Sequence, residues 1–423
     1  MTEQKSAIAF GSVADDFTGA SDLALMLASD GMATVLAIGV PEGGAPEGTE
    51  ALVVALKSRT IDPGEACAHS VTAAMALKSM GARQILFKVC STFDSTAKGN
   101  IGPVTDALAS LLGAKQIPVC PAFPAAGRSV YLGHLFVNEI LLSDSPMRDH
   151  PLTPMRDSSL VRLMAAQSKL PVGLAPYKTV AAGPEALAAR MRSLEGAVIV
   201  DALEDDHLRC IADASLDLPL MVGGSGIALG IPAAYRRQGW IKAQAEVAPM
   251  RAAPGRAVVL AGSCSAATLG QVAQAEAGGL PVLRISPDGL ASGAESAEAI
   301  LAWIDAQPAD RPVVVASTAD PEAVRGAQAR LGLERAAELV EAALAAVAKA
   351  LPARGVTKLL VAGGETSGAV VSALGVKLLQ VGPAIAPGVP WLTALDRPNL
   401  CLALKSGNFG APDMFLTAWS KLA

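Results

Sequence analysis

Aromatic residues are scarce in this 423-residue chain, only 4% of it, although hydrophobic residues of all kinds reach 51%. Ala, Leu, Val and Gly must therefore fill the cores, as in α/β proteins whose strands are covered on both faces. Charge is thin as well, 17% of residues with a net charge of −5. That argues against a nucleic-acid binder, which presents a basic face, and it obliges any anionic substrate to find a local basic pocket. The six cysteines, at 67, 90, 120, 210, 264 and 401, form no CxxC pair, and the four histidines are isolated, so no zinc signature exists. Free thiols point to a reducing compartment. Residues 1–6 have no signal-peptide layout, and no apolar run is long enough to span a membrane. The expectation is a cytoplasmic protein with neither a membrane nor a nucleic-acid partner. The P-loop pattern GxxxxGK[ST] and the dinucleotide fingerprint GxGxxG are both missing.

What is present is alternation. A chain this long is too large for one ordinary core. Strand-like runs at Ile8–Ala14, Thr34–Ile38, Ala51–Leu56, Gln84–Val89, Gln116–Cys120, Ala197–Asp201 and Leu218–Val222 are interleaved with helical patterns at Ser21–Ser29, Pro63–Met80, Pro103–Leu112, Ser158–Ser168 and Pro184–Leu194. The segment Arg251–Arg256 reads as a linker, after which alternation restarts. Strands are expected at Ala257–Ala261, Pro281–Ile285, Pro312–Ser317, Lys358–Ala362, Lys377–Val381 and Leu400–Lys405. Helices are expected at Ala266–Ala277, Ala294–Ala306, Pro321–Arg330, Leu333–Ala350 and Thr366–Ala373. The reading is two Rossmann-like α/β domains, 1–250 and 251–423, with mainly parallel sheets and a ligand cleft between them. The insertion Pro121–Pro154, rich in Pro, Gly, Arg and His, is expected to be an irregular lobe.

The chemistry gathers where strands end. Asp15 and Asp16 close the first strand run just before a helical pattern, the edge of a parallel sheet where ligands bind. A single capping residue would have sufficed there, and adjacent like charges need something to offset them. Lys57 and Arg59 follow the third run and suit an anion such as a carboxylate. Lys88 lies within a strand-like run and needs a partner if buried. Ser91, Thr92, Asp94 and Ser95 form a dense hydrogen-bonding set suited to a polyhydroxylated ligand. Gly224 and Ser225 belong to a glycine-rich turn. Three further small-residue turns, around Ser263 and Ser265, at Gly363-Gly364-Glu365-Thr366, and around Gly407, would line one sheet edge and hold phosphates through backbone N–H groups. Each alone is an ordinary cap; their recurrence favours a nucleotide. His134 and His150, in the insertion, read as structural, and Cys264, at a helix start, as a thiol of minor interest.

Taken together, Val13–Asp22, Lys88–Asn100, the turn at 223–226, Gly262–Ser265, Gly363–Gly368 and Ser406–Gly410 resemble the four-carbon acid sugar kinase family over nearly the whole chain and in the expected order. The resemblance implies an N-terminal domain for the sugar acid, a C-terminal domain for ATP, and ATP contacts from the Ser263/Ser265 turn, Gly363–Thr366 and Gly407. The expected activity is ATP- and Mg²⁺-dependent phosphorylation of a terminal hydroxyl, with Asp15 or Asp16 as base. No dedicated metal site is visible, and a homo-oligomer is left open. A non-catalytic sugar-acid sensor is the rival reading, and a phosphatase or dehydrogenase the third. The missing GxGxxG speaks against the dehydrogenase, and the Asp-Asp-Phe-Thr order departs from the DxDxT of one phosphatase class.

Overall fold

The computed structural model describes residues 7–150, 153–242, 250–317, 326–327 and 329–422. It divides into two compact units, Met1–Glu246 and Val247–Ala423. Among the described residues no helix is long and apolar enough to cross a membrane.

In the first unit β1 (Phe10–Ala14), β2 (Thr34–Ile38), β3 (Ala51–Ala55), β4 (Gln84–Lys88) and β5 (Gln116–Cys120) alternate with helices Phe17–Ser29, Pro63–Ser79 and Ile101–Leu112. After an inserted lobe of three short strands, β6 (Arg128–Tyr131), β7 (His134–Val137) and β8 (Ile140–Leu141), the main sheet gains β9 (Val172–Ala175), β10 (Gly196–Val200) and β11 (Leu220–Gly223). The main sheet runs β2-β3-β1-β4-β11-β5-β10-β9, all parallel. Its central strands read as continuous apolar runs because both faces are covered; all five residues of β1 and of β3 are buried. From β1 the chain first builds outward through β2 and β3, then crosses to β4 on β1's other side. The crevice between the carboxyl ends of β1 and β4 is therefore the topological switch point, where open α/β sheets bind ligands.

The second unit contains β12 (Arg256–Ala261), β13 (Val282–Arg284), β14 (Val313–Ala316), β15 (Val356–Ala362), β16 (Leu378–Ala386), β17 (Val389–Ala394) and β18 (Arg397–Lys405). Its order is β13-β14-β12-β15-β18-β17-β16. The pairings are parallel from β13 to β18 and antiparallel from β18 to β16. By the same logic its switch point lies between β12 and β15. Trp391, fully buried, anchors this core; its indole N–H donates to the Ala418 carbonyl at 3.0 Å and its ring lies 5.6 Å from that of Trp419.

The insertion differs from the expected irregular lobe. It folds into an antiparallel meander, β6-β7-β8, on two-residue turns. Both central residues of each turn have positive φ: Leu132 48° and Gly133 72°, then Asn138 49° and Glu139 69°. That conformation matches the strand twist, but only one of these four residues is glycine, so the usual Asn-Gly signal is missing. Asp201 ties the first turn to the main sheet, accepting from the N–H groups of Leu132 at 2.7 Å and Gly133 at 2.8 Å, and also from Tyr177 N–H at 2.8 Å. Two other expectations change. The segment before Lys405 is an antiparallel meander in which β17 was not foreseen. The helix expected over Ser158–Ser168 is only six residues, Leu160–Ala165. The helix expected over Pro321–Arg330 falls largely outside the described residues.

Candidate active site

The acidic pair sits where β1 stops. Asp16 is the N-cap of helix Phe17–Ser29, its carboxylate accepting from Gly19 N–H at 3.1 Å and from the Thr18 hydroxyl at 2.8 Å. Asp15 is held differently. Arg59, from the loop after β3, donates to it twice, from Nε at 3.0 Å and from Nη2 at 2.8 Å. The same Nη2 lies 2.8 Å from Asp16 Oδ1, and Nη1 is 3.8 Å from Asp94 Oδ2. One guanidinium thus gathers three carboxylates. Burial pushes the Asp15 carboxyl up despite Arg59. Burial also works to raise Asp16, but Arg59, Lys88 and the bonds from Thr18 and Gly19 outweigh it and hold Asp16 below the usual carboxylate range. Asp16 is the more accessible of the two, its side chain 18% exposed against 6% for Asp15.

Lys88 ends β4 and is buried, its ammonium donating to the Val89 carbonyl at 2.9 Å. A side chain on Gly19 would run into that ammonium, so the first turn of the helix closes over the lysine. Its charge acts on Asp15, Asp16 and Asp22. Asp22 was not singled out in the sequence. It is buried, with Oδ2 accepting from the Ser225 hydroxyl at 2.5 Å and Oδ1 without a partner. Burial raises its pKa.

The Ser91–Ser95 loop is shaped by its backbone. Phe93 and Asp94 have φ of 64° and 36°, an arrangement side chains resist. The Asp94 carboxylate accepts from the Thr92 hydroxyl at 2.7 Å, and the Ser95 hydroxyl donates to Gln167 Oε1 at 2.9 Å. Ser91 packs against Gly224, whose missing side chain makes room for the Pro121 carbonyl. Asn100 supplies an unforeseen clamp: its amide donates to the carbonyls of Ser58 at 2.8 Å, Arg59 at 3.2 Å and Ile61 at 2.9 Å. Lys57 is exposed at the same strand end. Asp15, Asp16, Arg59, Lys88 and the 91–95 loop thus meet at one switch point. Gly224 and Ser225 adjoin it through Ser91 and Asp22. His134 and His150 serve local structure, bonded to the Leu132 carbonyl and to Thr153 respectively.

In the second unit a cavity of about 570 Å³ opens at the other switch point. Gly262, Ser263 and Cys264 line it from the end of β12, and Gly363, Gly364, Glu365 and Thr366 from the end of β15. Ala336, Ala337, Val340 and Ile285 add an apolar wall. Gly363 has φ +128°, a conformation that favours glycine. Ser265 caps helix Ala266–Ala277, accepting from Thr268 N–H, and its hydroxyl donates to the Gly407 carbonyl at 2.6 Å. A side chain on Gly407 would collide with Ser263 Oγ and stand 3.1 Å from Ser265 Oγ. The three turns are thus in mutual contact. Gly407 packs behind Ser263 rather than lining the cavity itself.

A family profile described as a sugar-binding N-terminal domain matches residues 10–231, and one described as a nucleotide-binding C-terminal domain matches residues 258–415. The chain is 51% identical to the 3-oxo-tetronate kinase of Cupriavidus necator, over 97% of this chain and 96% of that one. The chain belongs to the four-carbon acid sugar kinase family. Family resemblance extends to Salmonella typhimurium, whose 3-oxo-tetronate kinase is 42% identical over 96% of this chain and 98% of that one. Among solved structures, Haemophilus influenzae protein HI1011 is 40% identical, with a TM-score of 0.75 over 97% of this chain and 99% of that one. Within the family's two-part plan, the acidic switch point falls in the sugar-binding match and the glycine turns in the nucleotide-binding match.

Proposed function

We propose that this chain is a 3-oxo-tetronate kinase, moving the γ-phosphoryl group of ATP to the terminal C4 hydroxyl to give the 4-phosphate and ADP. The observation that carries this is the full-length match to curated kinases of that name, spanning both units. Phosphoryl transfer demands alignment, neutralised charge and a proton acceptor. Asp16 is the acceptor: its depressed pKa keeps it ionised near neutral pH, and it is reachable. Asp15 and Arg59 act as its orienting pair, because the arginine's fork is already committed to aspartates. Lys57 and Arg59 act on the substrate's carboxylate, and Ser91, Thr92, Asp94 and Ser95 on its oxygens, Thr92 and Ser95 as acceptors because their hydroxyl hydrogens go to Asp94 and Gln167, with Gly224 and Ser225 closing one side. Lys88 balances the charge of the acids from beneath.

On the donor side, the N–H groups of Gly364, Glu365 and Thr366, which open helix Gly364–Leu374, bind phosphates beside Ser263 and Ser265, whose own N–H groups go to the Ala362 carbonyl and to Ser263 Oγ, and Gly407 keeps that floor flat. Mg²⁺ would be held by Glu365, the carboxylate of that turn, together with the substrate's phosphates, and would supply neutralisation of the charge on the transferring group; hard ions of this kind commonly use one or two carboxylates plus substrate oxygens. The protein works in the cytoplasm on a small sugar acid.

Coupled ADP release across 3-oxo-tetronate, threonate and erythronate tests the proposal. Preference for the keto acid supports it. Preference for threonate or erythronate moves the chain to another member activity of the family. Binding of the acids with no ADP formed would instead mark a sensor.

A further inference from the structure

Lys405 ends β18 and is fully buried, and the chemistry described so far does not use it. Its ammonium has three acceptors: Thr268 Oγ1 at 2.9 Å, the Ser406 carbonyl at 3.0 Å and the Gly407 carbonyl at 2.8 Å. Gly407's carbonyl receives two more donors, the hydroxyls of Ser265 at 2.6 Å and Thr268 at 2.9 Å. The Lys405 carbonyl in turn accepts from Gly363 N–H at 2.9 Å. One residue therefore touches all three glycine turns, by its backbone at Gly363 and by its side chain at Gly407 and at the helix that Ser265 caps.

All three acceptors are neutral. Buried ammonium groups normally have an anionic partner. Among the described residues the surrounding elements provide none to Lys405. Helix Ala266–Ala277 carries one charged side chain, Glu276, which is exposed and paired with Arg284 at 2.8 Å. β17 carries none, Lys358 is the only charged residue of β15, and Glu365 opens helix Gly364–Leu374 beside the cavity. None of these contributes to the lysine's titration, which burial alone lowers to about 7. At neutral pH the site is thus poised between ammonium and amine.

We propose that Lys405 is the positioning residue of the nucleotide turns and that bound nucleotide phosphate is its missing counter-charge, so that nucleotide binding draws a proton onto it. With three hydrogens the ammonium satisfies all three acceptors and turns the Gly407 carbonyl inward. The neutral amine has only two hydrogens and a lone pair, so it either drops one acceptor or accepts from the Thr268 hydroxyl, which is then withdrawn from the Gly407 carbonyl. Phosphate charge nearby favours the cationic form, so binding and ordering of the turn are linked. This rests on the assignment of the three turns to the nucleotide.

The test is calorimetry of ADP binding to the full chain at about pH 8, in buffers of different ionisation enthalpy. Burial without an anionic partner favours the neutral amine before binding, so the wild type is expected to take up protons on binding nucleotide, at most one per site. Lys405→Met should lose that uptake, bind ADP at least about tenfold more weakly, and raise KM for ATP while leaving KM for the acid unchanged. Any proton the nucleotide itself exchanges is common to both proteins and cancels in the difference. Thr268→Val, which keeps the charge, should retain the uptake with weaker binding. It serves if the methionine variant does not fold. Equal exchange in wild type and Lys405→Met, or no uptake by the wild type, overturns the proposal. Gly407→Val separates the underlying assignment: unchanged ADP affinity there would remove the three turns from the nucleotide site altogether.

Discussion

Arg59 and Asp15 form a two-pronged pair, Nε to Oδ2 at 3.0 Å and Nη2 to Oδ1 at 2.8 Å, on which the acidic cluster depends. The pair is largely withdrawn from water, and Asp16 shares the same guanidinium. Removing the arginine would leave adjacent buried carboxylates without their main counter-charge. Arg59→Ala should therefore cost roughly 3–5 kcal/mol of stability and abolish turnover. Arg59→Lys should not restore activity, because a point charge cannot reproduce the fork. Thermal melts and initial rates check both; a fully active lysine variant would show the fork to be dispensable.

The two aspartates should separate kinetically. Asp16→Asn removes the proposed proton acceptor and should lower kcat by about 100- to 10,000-fold, with ADP affinity unchanged. Asp15→Asn disturbs the orientation of Arg59 and should be milder. Pre-steady-state and steady-state rates on purified variants decide; the reverse ranking would make Asp15 the base.

Gly407→Val should weaken nucleotide binding through its collision with Ser263 Oγ, leaving sugar-acid binding intact. Gly363→Ala should act in the same direction by strain, since φ is +128° there, at a cost of about 1–3 kcal/mol. Separate titrations with ADP and with the acid distinguish these local effects from general unfolding.

Asp22 predicts a pH dependence of stability. Its folded pKa is raised by burial, so between the usual aspartate range and that higher value the folded state binds more protons than the unfolded state. Its contribution is present below the unfolded pKa and is lost as pH rises through the folded one. Asp22→Asn cannot ionise. The melting temperature of the variant relative to wild type should therefore improve from about pH 4 to pH 8. Asp16, whose pKa is depressed, works the other way: its contribution is present above the unfolded pKa and lost on acidification.

The parts of this fold legible in the sequence are those fixed by local pattern. Thr34–Ile38 and Ala51–Ala55 are uninterrupted apolar or near-apolar runs bounded by polar or turn residues, and the strands fall on them. Leu333–Ala350 keeps its amphipathic spacing and forms a helix of the same bounds. The glycine turns and the Asp15-Asp16 pair were visible because their composition is unusual at a strand end. What escaped depends on long-range partners. Asp22 looks like an ordinary helix residue until Ser225, 203 positions away, binds it. Lys405 looks like the polar end of a strand until Gly407 and Thr268 are folded around it. β17 escaped for the same reason: it is the middle of an antiparallel meander between β16 and β18, a departure from the strand-helix alternation of the rest of the chain.

Asn100 holds the carbonyls of Ser58, Arg59 and Ile61 with one amide, although about forty residues separate it from them. The loop that carries Arg59 is consequently not a transferable cassette. A chimaera that imports residues 57–61 from a relative of different acid preference will inherit the new side chains but aim them with the old clamp. For specificity to be exchanged, the segment after β3 and the residue preceding helix Ile101–Leu112 must travel as one unit of heredity.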